Sequence, residues 1–170
     1  MFKRMRNKGL ARLAANWPAL SAKLVASFNP VESTSVPWHP LEKPLKRSKL
    51  AMVTTAGLHH PRQRPFDMRD ASGDPSFRII QGDAIEAGYT ITHDYYDHRD
   101  ADRDLNVVFP ITRLKEMHAA GYIGALSQQH FSFMGHIDGP HVQTLIHDSA
   151  AQVARMLREQ QVDAVVLTPA

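Results

Sequence analysis

The sequence predicts an α/β domain in which helices flank a parallel sheet of the Rossmann or flavodoxin type, with a basic helical arm in front of it. Two short apolar runs, at 49–55 and 162–168, are typical of strands buried on both faces. A helical hydrophobic pattern over 140–160 directly precedes the second run, as in parallel α/β folds. The arm is distinguished by its positive charge. Residues 1–50 contain ten Lys or Arg and two Asp or Glu, whereas residues 51–170 contain ten Lys or Arg and fifteen Asp or Glu.

The arm is predicted to be helical, because apolar side chains recur at helical spacing across residues 1–28. Pro18 is expected to end this helix or to start a second one. We assign residues 1–35 to the arm and residues 36–170 to the α/β domain. Beyond Trp17 the arm lacks interleaved aromatic residues, and it has no groove-reading motif, so we expect no nucleic acid as a partner. We expect it to dock on the acidic body of its own domain or on a sister subunit.

The first half of the domain alternates irregular and extended segments. Four prolines make residues 29–48 irregular, and the strand at 49–55 ends in a turn at Ala56-Gly57. The adjacent histidines His59 and His60 follow it, and a solvated loop rich in Pro, Arg and Asp covers 61–76. Two further short strands are expected at 77–80 and 89–92.

The second half begins with a helix that starts at Pro110 and ends at Gly121. A short apolar connector at 122–126 and a segment rich in His and Phe at 130–136 follow it, and neither pattern predicts an element. The long helix at 140–160, with Asp138 as its candidate cap, then leads into the strand at 162–168.

Composition excludes several classes of protein. Cysteine is absent, so the chain as given forms no disulfide and does no thiol chemistry. No apolar run is long enough to span a bilayer, so we expect no membrane partner. No charged segment followed by an apolar one indicates a secretory signal.

The stretch at 90–110 carries the densest set of polar groups. His93 and His98 bracket two tyrosines and two aspartates, and further aspartates follow. So many polar groups are costly to bury unless each is hydrogen-bonded. They follow a short β-branched run, and α/β proteins place their sites where a strand end opens into a loop. We therefore predict that this loop is half of an active site.

Several segments occur together in a characteristic order and spacing: Lys49–Gly57, Phe66–Asp70, His93–Asp97, Asp104–Pro110 with Arg113-Leu114, Gly121–Gly124, His130–Gly135 and Val162–Pro169. Together they resemble the selenoprotein B family of glycine, sarcosine, betaine and D-proline reductases. The resemblance runs from about Trp38 to the last residue. The first 35 residues do not share in it.

The resemblance implies a reductase that cleaves a carbon–nitrogen bond of an amino-acid-like substrate. In that family a strand that ends like Leu167-Thr168-Pro169-Ala170 leads into a selenocysteine, or a cysteine in some members. Its selenolate attacks the carbon next to the carboxylate and displaces the amine. This chain contains no such residue and no other cofactor is expected in it. We expect a selenocysteine immediately after Ala170, encoded by a UGA codon taken for a stop, and an inactive chain without it.

With this resemblance, the polar residues gain roles that their side-chain chemistry suggests. The candidate catalytic residues are His93, Asp97 and His130, which would orient the substrate or protonate the leaving amine. The candidate substrate-binding residues are Tyr95, Tyr96, Asn106, Ser132 and Thr168. The expected partners are an amino-acid-like substrate, a redox protein and sister subunits in an oligomer, in the bacterial cytoplasm.

Two other interpretations stay open. His93, Asp97 and His98 offer ligands for zinc or iron in a hydrolase-like domain, and His59, His60 or His130 would complete the shell, although their spacing matches no standard motif. A non-catalytic subunit that binds a small amino acid without turning it over is the other alternative.

Overall fold

The computed structural model describes residues 2–26, 38–83 and 88–170. The chain divides into two compact units, Met1–Glu42 with Asp94–Asp97, and Lys43–His93 with His98–Ala170. Among the described residues, no helix is both long and apolar enough to cross a membrane.

The first unit contains the helices of the basic arm, α1 (Phe2–Asn16) and α2 (Pro18–Ala26). The break between them falls at Trp17, as Pro18 predicted, because proline suits the first position of a helix and not its interior. An ion pair of 3.6 Å joins Lys8 Nζ to Asp94 Oδ1, and the Asp94 side chain is only 2% exposed. The last part of the predicted helix, 27–28, lies outside the described residues.

The second unit contains a five-stranded sheet, a two-stranded ribbon and several helices. Its strands are β1 (Lys49–Thr54), β3 (Phe77–Gln81), β5 (Ala125–Leu126), β6 (Gln129–Phe133) and β7 (Ala164–Thr168), and the ribbon pairs β2 (Leu58–His59) with β4 (Thr90–Ile91). The helices are α3 (Arg99–Arg103), α4 (Ile111–Ala119), α5 (His141–Thr144) and α6 (Ala150–Glu159), with 3-10 turns at Leu45–Arg47 and Leu105–Val107.

Strand β1 is the centre of the sheet and pairs in parallel with three others. It pairs with β7 from Leu50 to Thr54. It pairs with β5 through its first two residues and with β6 through Val53 and Thr54. Since a strand has two edges, β7 takes one edge and β5 and β6 share the other. The predicted parallel α/β sheet is therefore confirmed, with β3 added antiparallel to β6 at the margin.

Side chains alternate between the two faces of this sheet. One face packs against the second half of the predicted long helix, where Phe131, Phe133 and Val153 form a buried cluster with Met156 and Leu157. The other face lies under α4 and the segment before it, where Met52, Ile80, Phe109, Ile111 and Met134 are buried.

Three elements differ from what the sequence predicts. The segment 130–136, which suggested no element, supplies the inner strand β6. The helix expected at 140–160 is interrupted by a π-helical turn at Leu145–Ser149. Strand β7, expected to be buried on both faces, leaves Val165 37% and Leu167 71% exposed. Strand β7 pairs with β1, and no other described strand pairs with it, so it lies at the margin of the sheet.

Candidate functional site at the carboxyl ends of the parallel strands

The carboxyl ends of β1 and β7 are tied together beyond the sheet. The N–H of Thr55 donates to the carbonyl oxygen of Thr168 at 3.1 Å. Two residues later the N–H of Ala170 donates to Thr55 Oγ1 at 3.0 Å. These bonds fix the direction in which the backbone leaves β7, at the edge of the sheet where parallel α/β proteins bind ligands.

Gly135 brings this edge against His93. A Cβ added to Gly135 would lie 2.8 Å from the carbonyl oxygen of Ala170, 3.1 Å from His93 Nε2 and 3.1 Å from the carbonyl oxygen of Thr55. No side chain fits there without a shift, so the three strand ends approach one another through backbone. Gly135 and Ala170 are exposed whereas His93 is buried. The imidazole therefore lies just beneath a surface formed by backbone.

A row of hydroxyl groups lies beneath this edge. Ser132, Thr54 and Thr168 occupy the same register position on neighbouring strands and therefore the same face of the sheet. The hydroxyls of Thr54 and Thr168 both donate to the carbonyl oxygen of Val108, at 3.0 and 2.8 Å. This shared acceptor anchors two strand ends to the turn before α4. The predicted residues Ser132 and Thr168 thus belong to one row, in which Thr54 joins them.

The β2–β4 ribbon positions His93. Gly57 adopts φ +70°, and a Cβ there would meet the carbonyl oxygen of Thr92 at 2.5 Å. The N–H of Gly57 donates to Phe133, and the N–H of Thr92 donates to Gly57. These contacts hold the residue before His93 against the sheet. Only glycine tolerates this combination of positive φ and close approach.

His59 supports the ribbon. Its Nε2 lies 2.8 Å from Thr92 Oγ1 and its Nδ1 lies 3.0 Å from the carbonyl oxygen of His60. A carbonyl can only accept, so Nδ1 donates and Nε2 accepts from the hydroxyl of Thr92. Both ring nitrogens are thus engaged, which gives His59 a role in holding the backbone next to His93.

His130 does not share the site of His93. It lies five residues before Gly135, roughly 15 Å along an extended chain. Its Nδ1 accepts from the N–H of Met52 at 3.0 Å, and its ring packs edge-on against Phe109. Burial, aided by the charge of Lys115, lowers the pKa of His130 from 6.5 to about 4. The side chain is therefore neutral near pH 7.

The remaining predicted residues are divided between the two units. Tyr95, Tyr96 and Asp97 belong to the unit of the basic arm, whereas His93 belongs to the unit of the sheet. Asn106 acts at the start of α4, where its Oδ1 accepts from the N–H of Thr112 at 3.1 Å and its Nδ2 donates to Asp104. Hydrogen bonds from Asn106 in turn lower the pKa of Asp104.

The residues proposed as metal ligands do not converge. His98 Nδ1 pairs with Asp102 Oδ2 at 2.7 Å, one turn further along α3. Across residues 2–26, 38–83 and 88–170, no group of three or more His, Cys, Asp or Glu side chains is placed to hold a metal ion. The geometry of the described residues thus gives the metal-site alternative no support.

The sequence identified only part of this site. Strand ends in Thr-Thr and Leu-Thr-Pro indicated where β1 and β7 stop, but Thr54 and Thr55 were not named as site residues. Gly135 was missed as well, because a glycine needed for close approach looks like any loop glycine. Its position directly after the alternating run 130–134 was the available signal.

These features define an α/β protein whose candidate site lies where parallel strands end, with a buried histidine under exposed backbone. The chain belongs to the glycine/sarcosine/betaine reductase selenoprotein B family, whose model matches residues 25–170. This confirms the resemblance noted in the sequence. No solved structure matches the chain.

Among curated proteins, the chain is similar to subunits of amino-acid reductases. It is 37% identical over 131 residues to the D-proline reductase subunit gamma of Acetoanaerobium sticklandii, covering 77% of this chain and 52% of that one. It is 31% identical over 136 residues to the glycine reductase complex component B subunit gamma of Carboxydothermus hydrogenoformans, covering 78% and 30%. The same subunit of Symbiobacterium thermophilum is 29% identical over 136 residues, covering 78% and 31%. The chain thus spans about half of the first relative and about a third of the others.

Proposed function

We propose that this chain is part of a subunit of an amino-acid reductase that cleaves a carbon–nitrogen bond reductively in a small amino-acid-like substrate. The observation that supports the proposal most directly is the close approach of the backbone at Ala170, Gly135 and Thr55, next to the imidazole of His93. Membership of the selenoprotein B family and the names of the relatives, which are subunits of D-proline and glycine reductases, support it.

We place a selenocysteine, or a cysteine, directly after Ala170 in the full-length polypeptide. The backbone suits such a residue, because Ala170 is exposed, its N–H is fixed by Thr55, and Gly135 beside it has no side chain. A selenolate at this point would supply the nucleophile that displaces the amine from the carbon next to the carboxylate.

The residues of this chain would supply a proton and hold the strand ends in position. Cleavage of the bond takes two electrons and two protons, and it leaves a C–H bond where the C–N bond was, together with a free amine. His93, whose Nε2 lies against Gly135, would hold the proton that the departing amine takes up. The hydroxyls of Thr54 and Thr168, bound to Val108, would keep the strand ends in place. The electrons would come from a thiol-bearing redox partner.

The test is an assay of the full-length protein with its sister subunits and a dithiol reductant. Glycine, sarcosine, betaine and D-proline are supplied in turn, and amine or ring-opened product is measured. We expect turnover of one of them, and a loss of roughly 100-fold in kcat for His93→Asn, as is common when a group that transfers protons is removed. His147→Asn is the matched control, because His147 is exposed and its Nε2 lies 3.1 Å from Gln143 Oε1 within the same helical segment, away from His93 in the sequence.

Absence of turnover with all four substrates in a folded complex would contradict the proposed reaction. Turnover that His93→Asn leaves unchanged would remove His93 from the mechanism while the reductase assignment stands. Turnover by the wild type therefore tests the proposed reaction, and turnover by His93→Asn tests the role of His93 in it.

A further inference from the structure

A cavity lies beside His130, at the gap between β5 and β6. Strand β5 ends at Leu126 and β6 begins at Gln129, so the partner of β1 is interrupted between them. In this interruption the N–H of Met52 donates to His130 Nδ1 at 3.0 Å, in place of a backbone carbonyl. The side chain of His130 thus supplies the acceptor that no backbone carbonyl provides for Met52, which explains why this histidine is fully buried.

This bond determines which ring nitrogen carries the proton. Because Nδ1 accepts, the neutral ring must carry its hydrogen on Nε2. The low pKa of His130, about 4, keeps the ring in this neutral form near pH 7. Nε2 is buried and has no hydrogen-bond partner among the described residues. A buried donor without a partner is costly, so it indicates a group that the protein binds there.

His130 and Gly82 both line a cavity of about 240 Å³. A Cβ added to Gly82 on the cavity wall would lie 3.1 Å from His130 Nε2, so glycine keeps the space beside the nitrogen open. Ile111 and Leu126 line the cavity with apolar surface, and Lys115 lines it with a positive charge. The hydroxyl of Ser127, another lining residue, already donates to Gln160 at 2.6 Å.

The lining restricts the chemistry of the ligand. At about 30 Å³ for each water molecule, the cavity holds the volume of roughly eight waters, or a small organic molecule. The ligand must accept a hydrogen bond from Nε2, and Lys115 favours a negative charge on the acceptor. Among the described residues that line the cavity, the acid is Asp83, whose side chain is exposed, so solvent screens its charge.

We propose that this cavity binds a small aliphatic monocarboxylate, with its carboxylate on His130 Nε2–H and Lys115 and its carbon chain against Ile111 and Leu126. This site is separate from the candidate active site, because His130 lies level with Met52 in the middle of β1, whereas His93 lies beyond the carboxyl ends of the parallel strands. The inference does not depend on the proposed reductase activity.

The test is titration of the full-length protein with butyrate, compared with butyramide, its uncharged analogue of similar shape. His130→Asn places a side-chain oxygen where Nδ1 accepts from Met52 but removes the Nε2 donor. Lys115→Met removes the charge from an exposed position. Lys46→Met is the matched control, because Lys46 is an exposed lysine that does not line this cavity.

We expect saturable binding of butyrate, at least about tenfold tighter than that of butyramide, since a hydrogen bond to a charged group contributes that much. His130→Asn should weaken butyrate binding by about tenfold and Lys115→Met by several-fold, with no change in Lys46→Met. The Nε2–H proton resonance of wild-type His130 should move downfield as butyrate is added, a readout that needs no variant. Equal binding of butyrate and butyramide, binding that both cavity variants leave unchanged, or an unmoved Nε2–H resonance at saturation would overturn the proposal.

Discussion

At Gly135 a single methyl group is enough to test how closely the strand ends approach. Gly135→Ala would push against the carbonyl oxygens of Ala170 and Thr55 and against His93 Nε2. We expect a loss of about 1–3 kcal/mol in the free energy of unfolding, as for other overpacked positions. Chemical denaturation measures it. Gly9→Ala is the control, because no described residue outside the backbone of its own helix lies within 4 Å of the added Cβ, and alanine favours a helix. A Gly135→Ala protein as stable as wild type would show that the strand ends do not meet as described.

His130 makes stability depend on pH. Its pKa in the folded state, about 4, lies below the ordinary value of 6.5, so the unfolded chain binds more protons between these two values. Stability is therefore complete above pH 6.5 and falls as the pH drops towards 4, by about 3 kcal/mol in total from this residue. Unfolding measured from pH 8 to 4 should show this loss in the wild type but not in His130→Asn. Parallel curves for the two proteins would contradict the neutral, buried state of His130.

A sequence reveals only part of a candidate site. His93 was chosen because it follows a short β-branched run in a polar stretch; the structure shows this side chain buried, and its role stays a prediction. Asn106 was chosen for its chemistry, yet it bonds to backbone and side chain at the start of α4, which is a common use of this side chain. Whether a histidine such as His130 accepts from backbone depends on a partner 78 positions away, which no local pattern contains.

At the level of elements, one carbonyl joins the sheet to the turn before α4. The oxygen of Val108 accepts from both Thr54 and Thr168, so either threonine alone still satisfies it. We expect Thr54→Val and Thr168→Val each to cost about 1 kcal/mol, and the double variant to cost about 1 kcal/mol more than their sum, because only then is the carbonyl left without a donor. A double-mutant cycle by denaturation measures the coupling. Strict additivity would mean that the two hydroxyls act independently.

The elements divide into those that local pattern determines and those that it does not. Strand β1 was predicted because it is apolar throughout, and α4 because Pro110 and Gly121 mark its limits. Strand β6 was missed because its side chains include His130 and Ser132, and a face that alternates with polar groups indicates solvent. Here both side chains are buried, and the ring of Phe109, in the segment before α4, packs edge-on against His130.

For the whole molecule, the division into two units changes how the polar stretch at 90–110 is understood. It was predicted as one continuous loop and half of a site. The structure assigns His93 to the unit of the sheet and Asp94–Asp97 to the unit of the basic arm, where Asp94 pairs with Lys8. Because Lys8 and Asp94 belong to the same unit, this ion pair does not test whether the arm docks on the acidic body of its own domain or on a sister subunit, and that docking stays a prediction.

We propose that the strand end at Ala170 leads into a redox residue beside His93. The nucleotide sequence that follows the codon of Ala170 in the genome tests this proposal. We expect an in-frame UGA or a cysteine codon there, followed by a reading frame that continues with the rest of the family's sequence. A UAA or UAG codon, or no such continuation in frame, would contradict the claim.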